Sequence, residues 1–183
     1  KDVHLHIGQT YAALGKTDKA STQLNKGLEL SQKIGDKGLE ANVLKVIATV
    51  EGITKDHEAR IITLRKCLKI YNSLGMEHAK ARTLNEIADA YIRLGENTKA
   101  KEYLDQALSI SSITQNNDLW GDINLTAAAL LIRENKFEEA ITYLGKSLKS
   151  TENLRSTATG TIRRDILASR ILQYKYLAFS YLL

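Results

Sequence analysis

Apolar positions in the first 150 residues fall into paired helical stripes separated by glycine. Ile7, Tyr11 and Leu14 stand at i, i+4 and i+7, as do Ile87, Tyr91 and Leu94, the spacing of one helix face. Each stripe stops at a glycine, Gly15 or Gly95. A second stripe then runs through Ala20, Leu24, Gly27 and Leu28, and again through Ala100, Leu104, Ala107 and Leu108. The pattern predicts two helices joined by a tight turn. Thr17 and Asn97 are expected to cap the second helix through their side-chain oxygens. Gly35 and Gly75 stand where it should end, because glycine takes the left-handed conformation that commonly closes a helix.

This unit recurs every 40 residues. Leu24 maps to Leu64, Leu104 and Leu144, and Leu28 to Leu68, Leu108 and Leu148. Small positions stay small: Gly8 becomes Ala48, Ala88 and Ala128, and Gly27 becomes Cys67, Ala107 and Ser147. Two antiparallel helices approach closely only where small residues lie at their crossing, so Ala88, Ala100 and Ala107 should be buried together. A single hairpin cannot bury both its faces, and a fixed period is the sequence mark of hairpins that stack into a continuous core. Repeat two breaks the rule at two places, with Glu51 where Tyr11 and Tyr91 stand and Arg60 where Ala20, Ala100 and Ala140 stand. Those positions face each other in the repeat, so an ion pair between Glu51 and Arg60 is expected. A one-residue slip that buries Ala59 instead is the alternative.

Composition agrees with an all-α array. Of 183 residues 43% are hydrophobic and 26% charged, and none is proline, which leaves glycine as the main helix terminator. The longest apolar runs, such as 126–132, fall far short of the roughly 20 residues that cross a bilayer, so no membrane segment is expected. No leader sequence is read at Lys1. Part of the net charge of +5 collects in residues 151–183, where Arg155, Arg163, Arg164, Arg170 and Lys175 face only Glu152 and Asp165. The single cysteine, Cys67, occupies a small core position and is expected to pack rather than react.

The run Ile87-Ala88-x-x-Tyr91-x-x-Leu94-Gly95, followed by Ala100, Leu104 and Ala107, resembles the tetratricopeptide repeat, and Ile7 to Gly27 resembles it equally. Repeat four, with Leu131 and Glu134-Asn135, is degenerate, and repeat two more so. The longer period is similar to the extended repeats of kinesin light chains, spindle-orientation adaptors and bacterial signalling regulators. The resemblance implies a right-handed α-solenoid of stacked antiparallel hairpins, with repeats near 1–40, 41–80, 81–120 and 121–160. A partial fifth repeat is expected near 164–183, after a Ser/Thr-rich loop at 156–161. Because apolar residues such as Leu177, Phe179 and Tyr181 close the sequence, the array is expected to continue past Leu183. Trp120 is expected to pack over an inter-repeat loop.

The residues offer little for catalysis. His4 and His6, two apart on a helix, point in different directions and do not share a metal. No HExxH, phosphate loop or GxSxG occurs, so neither an enzyme activity, a metal nor a cofactor is expected. Recognition is the alternative. In the family the first helix of each hairpin lines a concave groove, and the resemblance places Asn42, Lys45, Thr49, Arg82, Asn85, Asp89, Arg93 and Arg133 there. Cationic and amide groups together suit a carboxylate or an extended peptide backbone, and Asn85 could grip a peptide unit with both its donor and its acceptor. The expected activity is therefore a non-catalytic protein- or peptide-binding scaffold. The alternative is a sensory or regulatory segment of a bacterial signalling protein, a histidine kinase or transcription regulator, whose output domain lies outside this chain. Nucleic acid is not an expected partner, because the basic cluster lacks interleaved aromatics and equivalent groove positions do not match. Homo-oligomerisation is compatible with such an array. A cytoplasmic setting is expected, with the periplasm as the alternative.

Overall fold

The computed structural model describes residues 2–114 and 117–157. Among them every regular element is a helix: α1 (Val3–Ala13), α2 (Thr17–Ile34), α3 (Lys37–Ile53), α4 (His57–Ser73), α5 (Glu77–Leu94), α6 (Asn97–Thr114), α7 (Asn117–Arg133) and α8 (Phe137–Thr157). The 40-residue register is kept in the helix starts, at Thr17, His57, Asn97 and Phe137 for the second helices. Each helix packs antiparallel on the one before it, giving an all-α solenoid of stacked hairpins.

The turns explain the register. The residue closing the turn after each first helix is left-handed in all four hairpins, at Gly15 (φ 69°), Lys55 (61°), Gly95 (80°) and Asn135 (59°). Glycine adopts this conformation freely, whereas lysine does so against a Cβ clash. Gly35 and Gly75 are left-handed too, one at the end of α2 and the other two residues past the end of α4, as the sequence predicts. The predicted N-caps differ. No side chain caps α2, Thr17 being already its first residue, and the Asn97 Oδ1 has no hydrogen-bond partner. The caps are Asp36 and Asp56, whose carboxylates accept from the backbone N–H of Leu39 and Ala59, each at 3.0 Å. Both lie before helices whose starts the sequence reading left uncapped.

Ala88, Ala100 and Ala107 are completely buried in one core with Leu64, Leu84 and Ile87. Tyr91 fills the space beside them, stacked on Tyr103 with ring centroids 5.6 Å apart and accepting a 2.8 Å hydrogen bond from Arg65. Repeat two is built differently. Glu51 accepts from the Thr63 hydroxyl at 2.9 Å, and Arg60 leaves its own hairpin to meet Asp89 of the next at 2.9 Å. The expected Glu51–Arg60 pair does not form, because Asp89 offers Arg60 a better-placed carboxylate. The slip that would bury Ala59 does not occur either, since Ala59 is only partly buried.

First helices sit beside first helices along one face. The backbones of α1 and α3 are in contact, as are those of α5 and α7, whereas those of α3 and α5 stand farther apart. Arg60 lies in this gap. Its guanidinium passes over Gly52, where an added Cβ would come within 3.4 Å of Nε. The equivalents of Gly52 are Ala12, Ile92 and Ile132, so only in repeat two is the space free for an arginine. The expected fifth repeat near 164–183 lies outside the described residues, as does most of the expected loop at 156–161; α8 runs to Thr157.

Candidate functional site

Two adjoining hollows occupy the face made by α3, α5 and α7. The first, of about 480 Å³, lies between α3 and α5. Its α3 wall carries Lys45, Val46, Thr49 and Ile53, and its α5 wall Glu86, Asp89 and Arg93. The second, of about 250 Å³, lies between α5 and α7 and is lined by Arg82, Asn85, Asp122, Leu125 and Thr126. Arg60, Glu86 and Asp89 belong to both and form the ridge between them.

Six of the eight groove residues expected from sequence line these hollows: Lys45, Thr49, Arg82, Asn85, Asp89 and Arg93. Asn42 is exposed beyond the rim, and Arg133 projects from the end of α7 near Gly95. Sequence reasoning missed Arg60 and Glu86. The repeat pattern places Arg60 in the hairpin interior, and Glu86, one residue past Asn85, lies off the groove-facing positions of the repeat.

The electrostatics differ from an open cationic groove. Lys45 pairs with Glu86 across the α3–α5 gap. Asp89 accepts from Arg60 at 2.9 Å and from the Nε of Arg93 at 3.1 Å. Arg82 lies 3.5 Å from Asp118 and 3.6 Å from Asp122 of α7. Except for the Arg93 contact, each of these pairs joins one hairpin to the next. The cations thus brace the stack as well as line the groove.

Two buried polar atoms of residues lining the hollows have no partner, Arg60 Nε and Asn85 Oδ1, and Glu51 Oε2 of α3 is unpartnered as well. Burial raises the Glu51 carboxyl above its ordinary value, against a smaller opposing effect from the Thr63 hydrogen bond. His57, at the start of α4, is held below the ordinary imidazole value by burial and by the positive charges of Arg93 and Arg60. Burial pushes Cys67 up to about 12. Among the described residues no group of three or more His, Cys, Asp or Glu side chains could hold a metal ion, and no helix is long and apolar enough to cross a membrane. Trp120 is partly buried, and its carbonyl accepts from Asn124 at 2.6 Å.

The fold is that of an α-solenoid with a groove along its first helices. The tetratricopeptide repeat family model matches residues 2–34 and 81–114, which fall on the hairpins α1–α2 and α5–α6. The unmatched hairpins are those with Glu51 and Arg60 and with Leu131 and Glu134-Asn135. Among solved structures, the apo form of RapI is similar, with a TM-score of 0.75 over 97% of this chain and 68% of that one at 16% identity. No curated protein sequence matches.

Proposed function

We propose that the chain is a non-catalytic scaffold that holds an extended peptide or protein segment in the groove along α3, α5 and α7. The observation that carries this reading is Asn85. Its side chain stands in the second hollow at 9% exposure, with Oδ1 unpaired. A buried amide oxygen without a donor costs about 1–3 kcal/mol. A peptide N–H supplies that donor, and the terminal amide torsion is soft enough to turn the oxygen toward it. The amide nitrogen then serves the neighbouring peptide carbonyl, so one side chain reads a backbone without reading its sequence.

The test is affinity selection of random heptapeptides on the whole chain and on Asn85→Ala. Enrichment by the wild type, lost in a variant of unchanged melting temperature, supports the reading. Equal enrichment on both proteins places binding elsewhere.

A further inference from the structure

We propose that the outer flank of α8 pairs antiparallel with α8 of a second copy of this chain, giving a weak two-fold dimer. The groove takes no part in it, so this inference stands apart from the reading above.

Among the described helices α8 packs on α7, and its outer flank faces solvent. Phe137, Ile141, Leu144 and Leu148 follow one another at i, i+4, i+7 and i+11, the spacing of one helix face. Phe137, Ile141 and Leu148 are 55%, 61% and 49% exposed. Leu144 is half-buried, where its equivalents Leu24, Leu64 and Leu104 are covered almost completely. The face is also more apolar than its counterparts. Phe137 stands where the other second helices begin with Thr17, His57 and Asn97, and Ile141 stands where they hold Ser21, Ile61 and Lys101. Ile61, the one apolar residue among those six, is buried in the core that α4 shares with α5. Three large apolar side chains left in water along one stripe form a surface suited to burial against another helix.

Charge along α8 selects the partner. Glu138 and Lys149, both exposed, flank the stripe at its two ends, with Gly145 between them; residues i, i+7 and i+11 share one side of a helix. A helix with acid at one end of an apolar stripe and base at the other is complementary to itself when turned antiparallel, the relation that a two-fold axis imposes. With the axis midway between residues 138 and 149, each Glu138 meets Lys149 of the other copy. Phe137 then lies near Leu148 of that copy, and Ile141 and Leu144 close the centre. A parallel pairing would set glutamate on glutamate and lysine on lysine. A Cβ added at Gly145 would meet nothing within 4 Å, so a second helix can approach closely over it.

One helix face per copy buries less than the roughly 1,200–2,000 Å² in total of a stable interface, so the dimer should dissociate at about 10–100 μM. Sedimentation equilibrium of the whole chain, across and below that range, is the measurement. The wild type should pass from monomer to dimer. Ile141→Gln should weaken association at least about tenfold, while the melting temperature of the dilute protein holds, because Ile141 is mostly in water in the monomer. Glu138→Lys and Lys149→Glu should each weaken association by about threefold to tenfold, and the double exchange, which restores both contacts in reverse, should recover it.

A wild type that stays monomeric overturns the proposal; if Ile141→Gln then lowers the melting temperature, the face is covered from within the chain. A dimer indifferent to Ile141→Gln is built on another surface, and charge exchanges that fail to compensate exclude the antiparallel pairing. Either result overturns the proposal as well.

Discussion

The Arg60 guanidinium stands 2.9 Å from the Asp89 carboxylate of the following hairpin, with the two side chains only 17% and 30% exposed. An arginine at a position filled elsewhere by alanine therefore ties repeat two to repeat three. Double-mutant cycles should show a coupling of about 1–2 kcal/mol between Arg60→Ala and Asp89→Ala, less than for a fully buried pair. The cycle between Arg60→Ala and Glu51→Gln should be near zero. The reverse order, measured by urea unfolding, would restore the intra-hairpin pair that the sequence pattern suggests.

Glu51 makes stability depend on pH. Its folded-state carboxyl is raised above the unfolded value, chiefly by burial. The associated stability is present in full below the unfolded value and is lost as pH rises through the folded one. Glu51→Gln, which stays neutral and keeps an acceptor for Thr63, should melt higher than the wild type at pH 7. The gap should close in acid, near the ordinary glutamate value. A gap that widens on acidification would reverse the sign of the assignment.

Two helical glycines should respond in opposite directions to alanine. A Cβ at Gly8 would lie 2.6 Å from the Leu24 side chain, which is fully buried and has no room to move. Gly8→Ala should cost about 1–3 kcal/mol through overpacking, outweighing the propensity gain. At Gly27 the nearest atoms would be 3.4 Å away, ordinary contact, and Gly27→Ala should stabilise by about 0.5–1 kcal/mol. Unfolding midpoints of the two single variants decide the point.

Lys55 offers a third site. It is exposed, and its backbone is left-handed, φ 61°, where two equivalent positions hold glycine. Lys55→Gly should raise stability by about 1 kcal/mol; thermal melting of the variant checks it.

Cys67 should be inert in the folded protein. Burial pushes its thiol up to about 12 and leaves it completely covered. Alkylation at pH 8 should therefore track opening of the structure and accelerate in urea. Rapid labelling without denaturant would contradict the buried assignment.

The period was legible because packing fixes it. Leu24, Leu64 and Leu104 and the small residues facing them fill one recurrent crossing, and each is nearly or fully buried. Gly35 and Gly75 were legible because their backbone conformation demands glycine. The caps were harder: Thr17 and Asn97 have suitable side chains, but Asp36 and Asp56 hold the position whose carboxylate reaches the third N–H onward. At the groove, residue type and helix face were readable, while the pairing was not. Whether Arg60 meets Glu51 or Asp89 depends on how far apart α3 and α5 stand, and nothing local to either segment encodes that distance.

The loose approach of α3 to α5 has a mechanical consequence. The second and third hairpins are held by close apolar packing of α4 on α5, whereas on the groove face ion pairs span the space between α3 and α5. Flexing at this joint therefore opens and closes the groove face about the α4–α5 contact. Lys45–Glu86 and Arg60–Asp89 act there as tethers of adjustable tension, softened by salt. Groove width is then adjusted between α3 and α5, while the α4–α5 core keeps the hairpins joined.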